Sequence, residues 1–134
     1  MTRVIKTHWR STLAIAALVV AFVATLPLTA ARAPAPRQIV LVARGMTFVL
    51  QGESDVNPTI RLTAGERVQI VVRNETRGMV HDFAVPSLEV AIPPLSGGEA
   101  GDVSIQAPDA PGVYEYECRP HSKMMRGTIE VVAR

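Results

Sequence analysis

The sequence predicts an all-β domain, a sandwich or barrel of short strands, behind a hydrophobic N-terminal leader. Three observations carry this. From Arg37 onward apolar residues recur mostly with period two, Gly, Pro, Asn and Asp punctuate the runs, and no stretch of that region repeats apolar residues at helical spacing. The 134 residues suit one domain, and 48% apolar against 19% charged residues leaves enough for a packed core.

The leader comes first. Met1 to Arg10 carries Arg3, Lys6 and Arg10 and no acid, and Leu13 to Leu26 is almost uninterrupted Ala, Leu, Ile and Val before Pro27. A basic segment followed by an apolar one is the pattern of a signal peptide, and the small residues Ala31 and Ala33 offer places for a cut. Extended over residues 13–31 the apolar run reaches the ~17–20 residues that span a bilayer as a helix, so an uncleaved anchor is the other reading of 1–33. Both place the domain outside the cytosol, in the periplasm or an equivalent space. Residues 34–37 read as an extended linker, because each proline of Ala33-Pro34-Ala35-Pro36 disfavours helix in the residue before it. The folded domain is then 38–134.

Eight strands follow in order: Gln38–Ala43, Thr47–Leu50, Thr59–Thr63, Arg67–Asn74, Asp82–Val85, Asp102–Gln106, Val113–Cys118 and Thr128–Val132. Val68, Ile70 and Val72 share one face, and Ile60 with Leu62, Val103 with Ile105, and Ile129 with Val131 supply matching inward pairs. Asn57-Pro58, Ala64-Gly65-Glu66, Ser96-Gly97-Gly98 and Ala110-Pro111-Gly112 mark turns. Pro86 to Gly101, with two adjacent prolines, reads as a long irregular connection covering one end of the sandwich. Pro93, Pro94 and Leu95 are expected to form an apolar rim there.

Charge excludes one class of function. All 12 acids lie from Glu53 onward, whereas four of the 14 basic residues precede Pro34, so the domain itself holds ten basic against twelve acidic residues, a net of −2. The excess basicity belongs to the leader, and nothing remains to argue for nucleic-acid binding. A single cysteine, Cys118, excludes an internal disulfide.

The chemistry concentrates in a few scarce residues. After the leader only His81, Cys118 and His121 remain of their types, and the last two sit in the run Cys118-Arg119-Pro120-His121-Ser122-Lys123-Met124-Met125-Arg126-Gly127. A soft thiolate, two imidazoles and a weak thioether form the donor set of electron-transfer copper. Taken singly, each has a plainer reading as a small buried hydrophobe, a strand-end histidine or core filler. Their order and spacing within an exported all-β domain make a metal site the better account. Zinc is the nearest rival: a structural zinc site wants four strong ligands, and the domain has no second Cys or third His, but a catalytic zinc site needs only three and stays open as the alternative.

With these residues the chain resembles the cupredoxins, the type 1 blue copper proteins. The resemblance rests on the Pro58-to-Asn74 strand pair, His81-Asp82-Phe83, Pro111-Gly112-Val113-Tyr114 and the Cys-x-x-His loop. It implies a Greek-key β-sandwich with one Cu(I)/Cu(II) ion near one end, equatorial ligands His81, Cys118 and His121, and an axial methionine. The family's Met-x-Gly ending matches Met125-Arg126-Gly127 and favours Met125 over Met124. It also implies a monomeric one-electron carrier between redox partner proteins, not an enzyme. A copper chaperone or scavenger, and an accessory domain of a membrane redox complex, are the alternatives. One departure stands out: cupredoxins often carry Asn after the first histidine, where its side chain ties the two ligand loops together. Here that residue is Asp82, which cannot donate when ionised. The expectation is a lost brace, with Asp82 either facing solvent or lowering the reduction potential as a nearby carboxylate. Arg73, Arg77, Arg119, Lys123 and Arg126 are further expected to make the copper end locally positive and suited to an acidic partner.

Overall fold

The computed structural model describes residues 35–134. The leader, with the helix expected in it, and Pro34 of the linker lie outside the described residues. Among the described residues nine strands form two sheets: β1 (Arg37–Arg44), β2 (Thr47–Leu50), β3 (Thr59–Thr63), β4 (Arg67–Asn74), β5 (His81–Val85), β6 (Val90–Leu95), β7 (Ala100–Gln106), β8 (Gly112–Glu117) and β9 (Arg126–Val132). Arg37 already belongs to β1, so the extended entry is shorter than the sequence suggested. One sheet runs β2-β1-β4-β7 and the other β3-β9-β8-β5-β6. The β1–β4 and β3–β9 pairs are parallel and the rest antiparallel, because the chain crosses between sheets instead of folding as simple hairpins. This is the expected Greek-key sandwich.

The period-two pattern sorts residues as predicted. Val68, Ile70 and Val72 on β4, Ile60 and Leu62 on β3, and Ile129 and Val131 on β9 are all buried, with Ile105 from β7. Val103 is only partly buried against the core, a weaker inward partner than its spacing suggested. Between the sheets, Phe48 of β2 meets Phe83 of β5 edge-on at 6.1 Å and Tyr116 of β8 at 5.8 Å, while Phe83 and Tyr116 stack at 5.4 Å. Such pairs add to what burial alone contributes.

One element corrects the sequence reading. The stretch from Pro86 to Gly101 is not irregular throughout: after a 3₁₀ turn at Pro86–Leu88 it forms β6, and β7 begins at Ala100. Pro93 and Pro94 lack backbone donors and mask a strand, but β6 is the outer strand of its sheet, where a missing donor costs no ladder bond.

Tyr116 shows how the core is fixed near the end that matters. Its hydroxyl donates to the buried Pro58 carbonyl at 2.7 Å, and burial holds its ionisation far above the ordinary phenol value. Gly127 is its direct cross-strand partner, and a Cβ there would collide with the Tyr116 ring and hydroxyl. The glycine after Met125 therefore has a packing reason. Tyr116→Phe is expected to cost about 1–2 kcal/mol in urea unfolding, because the Pro58 carbonyl is left buried without a donor; an unchanged midpoint would contradict that role.

Candidate metal centre

Strand direction brings three connections to one end of the sandwich. β8 is antiparallel to both β5 and β9, so the start of β5, the end of β8 and the start of β9 lie together. His81 opens β5, Cys118 follows β8, and Met125 precedes β9. A 3₁₀ turn at Arg119–His121 then folds the Cys-x-x-His segment back: His121 N–H donates to the Cys118 carbonyl at 2.9 Å, Met125 N–H to the His121 carbonyl at 2.9 Å, and Cys118 N–H to the Met125 carbonyl at 3.0 Å. Pro120 suits the turn because its fixed φ is helical and its missing N–H would go unused there.

The result brings the predicted donors face to face. Cys118 Sγ lies 3.6 Å from Nδ1 of His81 and 3.5 Å from Nδ1 of His121, and the three donor atoms all fall within 4.8 Å of one another. The imidazoles stand 4.9 Å apart between centroids, inclined at 57°. With bonds of about 2.0 Å to nitrogen and 2.3 Å to sulfur, as zinc shows, donors sharing one first-row ion stand at roughly this separation. His81 and Cys118 are completely buried, while His121 is partly exposed. Burial and the neighbouring His121 ring hold His81 below the ordinary imidazole value, leaving a neutral ring. Burial likewise pushes the Cys118 thiol up, and the backbone N–H groups of Asp82 and His121 pull it part of the way back. Among the described residues Nε2 of His81 has no hydrogen-bond partner, although the Gly45 backbone is near enough to favour the protonated ring. The two methionines separate clearly. Met125 is fully buried in the core, whereas Met124 is 54% exposed.

Asp82 overturns one expectation and recasts another. It does not face solvent. Its carboxylate is buried and accepts from the Arg119 backbone N–H at 2.7 Å and from Arg119 Nε at 2.6 Å. The His81 and Cys118 segments are thus braced with the polarity reversed: Asp82 accepts, and the residue after Cys118 donates. Its negative charge is met at the same place by the Arg119 guanidinium, yet the carboxylate still reaches the site, where it adds to burial in raising the Cys118 thiol. The positive end is also weaker than expected. Arg119 pairs with Asp82, and Arg126 with Glu115 and Glu117, leaving Arg73, Arg77 and Lys123 without an ion pair among the described residues. Leu95 is buried as the cross-strand partner of His81, so of the proposed rim only Pro93 and Pro94 are exposed.

Two positioning residues escaped the sequence reading. Asn74, buried at the end of β4, donates to the carbonyls of Met79 at 2.8 Å and Leu95 at 2.9 Å and accepts from Thr76 N–H at 2.9 Å, shaping the approach to His81. In the sequence Asn57 is only half of an Asn-Pro turn signal. Its side chain accepts from Phe48 N–H at 3.0 Å and donates to the Met124 carbonyl at 2.8 Å. The signal available was the residue type alone, since Asn both tolerates positive φ and carries a donor and an acceptor.

Comparison with known proteins agrees with this geometry. The family model described as a cupredoxin-like domain matches residues 14–131. Comparison with curated protein sequences finds no match. Among solved structures, dithionite-reduced auracyanin from the photosynthetic bacterium Roseiflexus castenholzii is 16% identical with a TM-score of 0.58, over 73% of this chain and 98% of that one. Auracyanin A, a "blue" copper protein from the green thermophilic photosynthetic bacterium Chloroflexus aurantiacus, is 19% identical with a TM-score of 0.57, over 73% and 100%. Rusticyanin from Thiobacillus ferrooxidans is 22% identical with a TM-score of 0.51, over 71% and 76%. At these identities the likeness is one of fold.

The Asp82–Arg119 pair is asymmetric, with side chains 3% and 52% exposed. Removing the exposed partner strands a buried carboxylate, so Arg119→Leu is expected to cost the metal-free protein about 1–2 kcal/mol in urea unfolding, a value reduced by water's access to one side. Asp82→Asn should cost less, because its amide oxygen still accepts from Arg119 N–H; a larger loss in Asp82→Asn would contradict the brace.

Proposed function

The chain belongs to the cupredoxin-like family, and from that premise we propose that it is an exported carrier of single electrons between redox proteins, with one type 1 copper ion held by His81, Cys118, His121 and, axially, Met125. The observation that carries the reading is the convergence of Cys118 Sγ and two Nδ1 atoms at 3.5–3.6 Å inside a buried end of the sandwich. When bound, copper supplies a one-electron Cu(I)/Cu(II) couple, which this donor set is suited to support.

The residues divide the work. Cys118 and the neutral His81 offer donors from inside the core. Met125 is preferred to Met124 as the axial residue because its side chain is buried in the core and its backbone bonds to Cys118, whereas the Met124 side chain is more than half exposed. His121 is the least buried of the three close donors, so its ring edge is the natural route for an electron to leave. The backbone bonds between Cys118, His121 and Met125 hold the loop without help from the metal. Four protein donors leave no position for a substrate, which is why we read a carrier and not an enzyme. Export follows from the leader pattern, and a periplasmic home suits the reading. Partner choice rests on less charge than the sequence implied: Arg73, Arg77 and Lys123 are the cations left to meet an acidic face.

The copper-loaded, oxidised protein should show an intense thiolate-to-copper absorption toward the red end of the visible spectrum, lost in Cys118→Ser. A wild-type protein without that band would overturn the proposal. Met125→Leu should keep the colour and shift the reduction potential, while Met124→Leu should leave both unchanged; the reverse would move the axial role to Met124.

A further inference from the structure

Met125 approaches the site on a backbone that is pinned from both sides. Its N–H donates to the His121 carbonyl and its own carbonyl accepts from Cys118 N–H. The peptide plane that carries this N–H also carries the Met124 carbonyl, which accepts from Asn57 Nδ2 at 2.8 Å. Among the described residues, that contact is the one side-chain hydrogen bond from outside the loop that reaches the methionine end. The Asp82–Arg119 brace acts at the cysteine end.

Asn57 is itself held from behind, so it can dictate where the Met124 carbonyl sits. Its N–H donates to the Phe48 carbonyl at 2.7 Å, its Oδ1 accepts from Phe48 N–H at 3.0 Å, and the next residue, Pro58, accepts the Tyr116 hydroxyl at 2.7 Å. Val56 adds a bridge to Val49 of β2. The backbone of Asn57 has φ of 49°, a left-handed conformation that asparagine tolerates better than other residues with side chains. A residue kept in that conformation and bonded through its N–H and both side-chain polar atoms is a fixed point on the connection from β2 to β3, tied to Phe48 on one side and to the 118–125 loop on the other.

We propose that Asn57 is a positioning residue for the axial thioether: by holding the Met124 carbonyl it sets how closely Met125 approaches the metal, and through that long, weak contact it tunes the reduction potential. This deepens the carrier reading above and rests on it for the role of Met125. The axial contact is the part of such a site that tunes potential most and holds the metal least, so a small shift of one peptide plane is felt there first.

The test is a double-mutant cycle on the full chain, with Asn57→Asp, Asn57→Gly, Met125→Leu and the two doubles. Asn57→Asp keeps the acceptor and the left-handed backbone and loses the donor. Asn57→Gly also tolerates that backbone, and it adds no charge. Both variants should keep the intense colour, shift the reduction potential and change the rhombicity of the cupric electron paramagnetic resonance signal. In the Met125→Leu background the Asn57→Gly shift should vanish, because the residue it acts through is gone. A potential unchanged in both single variants, or an Asn57→Gly shift of equal size with and without Met125, would overturn the proposal. Amide exchange on the metal-free protein gives an independent reading: the Met125 N–H should exchange about fivefold faster in Asn57→Gly, the factor one lost hydrogen bond is worth, while Ile129 N–H in β9 stays unchanged. Equal acceleration at both amides would show a merely structural role and also overturn it. If the wild-type protein binds copper without the intense band, the carrier reading fails on its own evidence, and the amide comparison still decides whether Asn57 positions Met125.

Discussion

A sulfur and two imidazole nitrogens held face to face inside an apolar end of a β-sandwich is the constraint on which the rest of this structure depends. Cys118 Sγ stands 3.6 and 3.5 Å from the two Nδ1 atoms, too far for a strong hydrogen bond and near enough to share an ion. Polar atoms gathered so closely gain little from one another and lose water, so the surrounding fold must hold them there. Holding a metal site in one geometry is also what lets an electron arrive and leave with little rearrangement. Stability spent on rigidity is recovered as function.

The rigidity has a layout. The two sheets fix the ends of β5, β8 and β9, and the aromatic trio Phe48, Phe83 and Tyr116 locks the sheets together beneath the site. Three polar ties then act on the connections. Asn74 shapes the loop that delivers His81, Asp82 with Arg119 joins the histidine and cysteine segments, and Asn57 reaches the methionine segment. Each uses side-chain atoms to satisfy backbone groups that leave regular structure at that end, which is why the loops can be irregular without being loose. The Asp82–Arg119 pair shows how an apparent defect can be repaired: an acid where an amide is usual still ties the two loops once the donor comes from the opposite loop.

What the sequence disclosed was local or scarce. Cys118 and His121 fall within one turn, and His81 is the only other histidine of the domain, so their convergence was readable before any fold was known. The buried faces of β3, β4 and β9 followed from alternation alone. What stayed hidden depends on register and distance. The Asp82–Arg119 contact joins residues 37 apart, and that of Asn57 with Met124 joins residues 67 apart, so neither leaves a mark on its own neighbourhood. β6 was concealed by Pro93 and Pro94, which argue against a strand everywhere except at an edge. The leader was legible as a pattern, and its structure lies outside the described residues.

Copper K-edge X-ray absorption, recorded on the oxidised and the reduced protein, addresses the central claim most directly. The account predicts one sulfur and two nitrogen scatterers at short range in both states, with distances that barely change when the electron is added. Loss of the sulfur shell, or a coordination that rearranges between the two states, would contradict it.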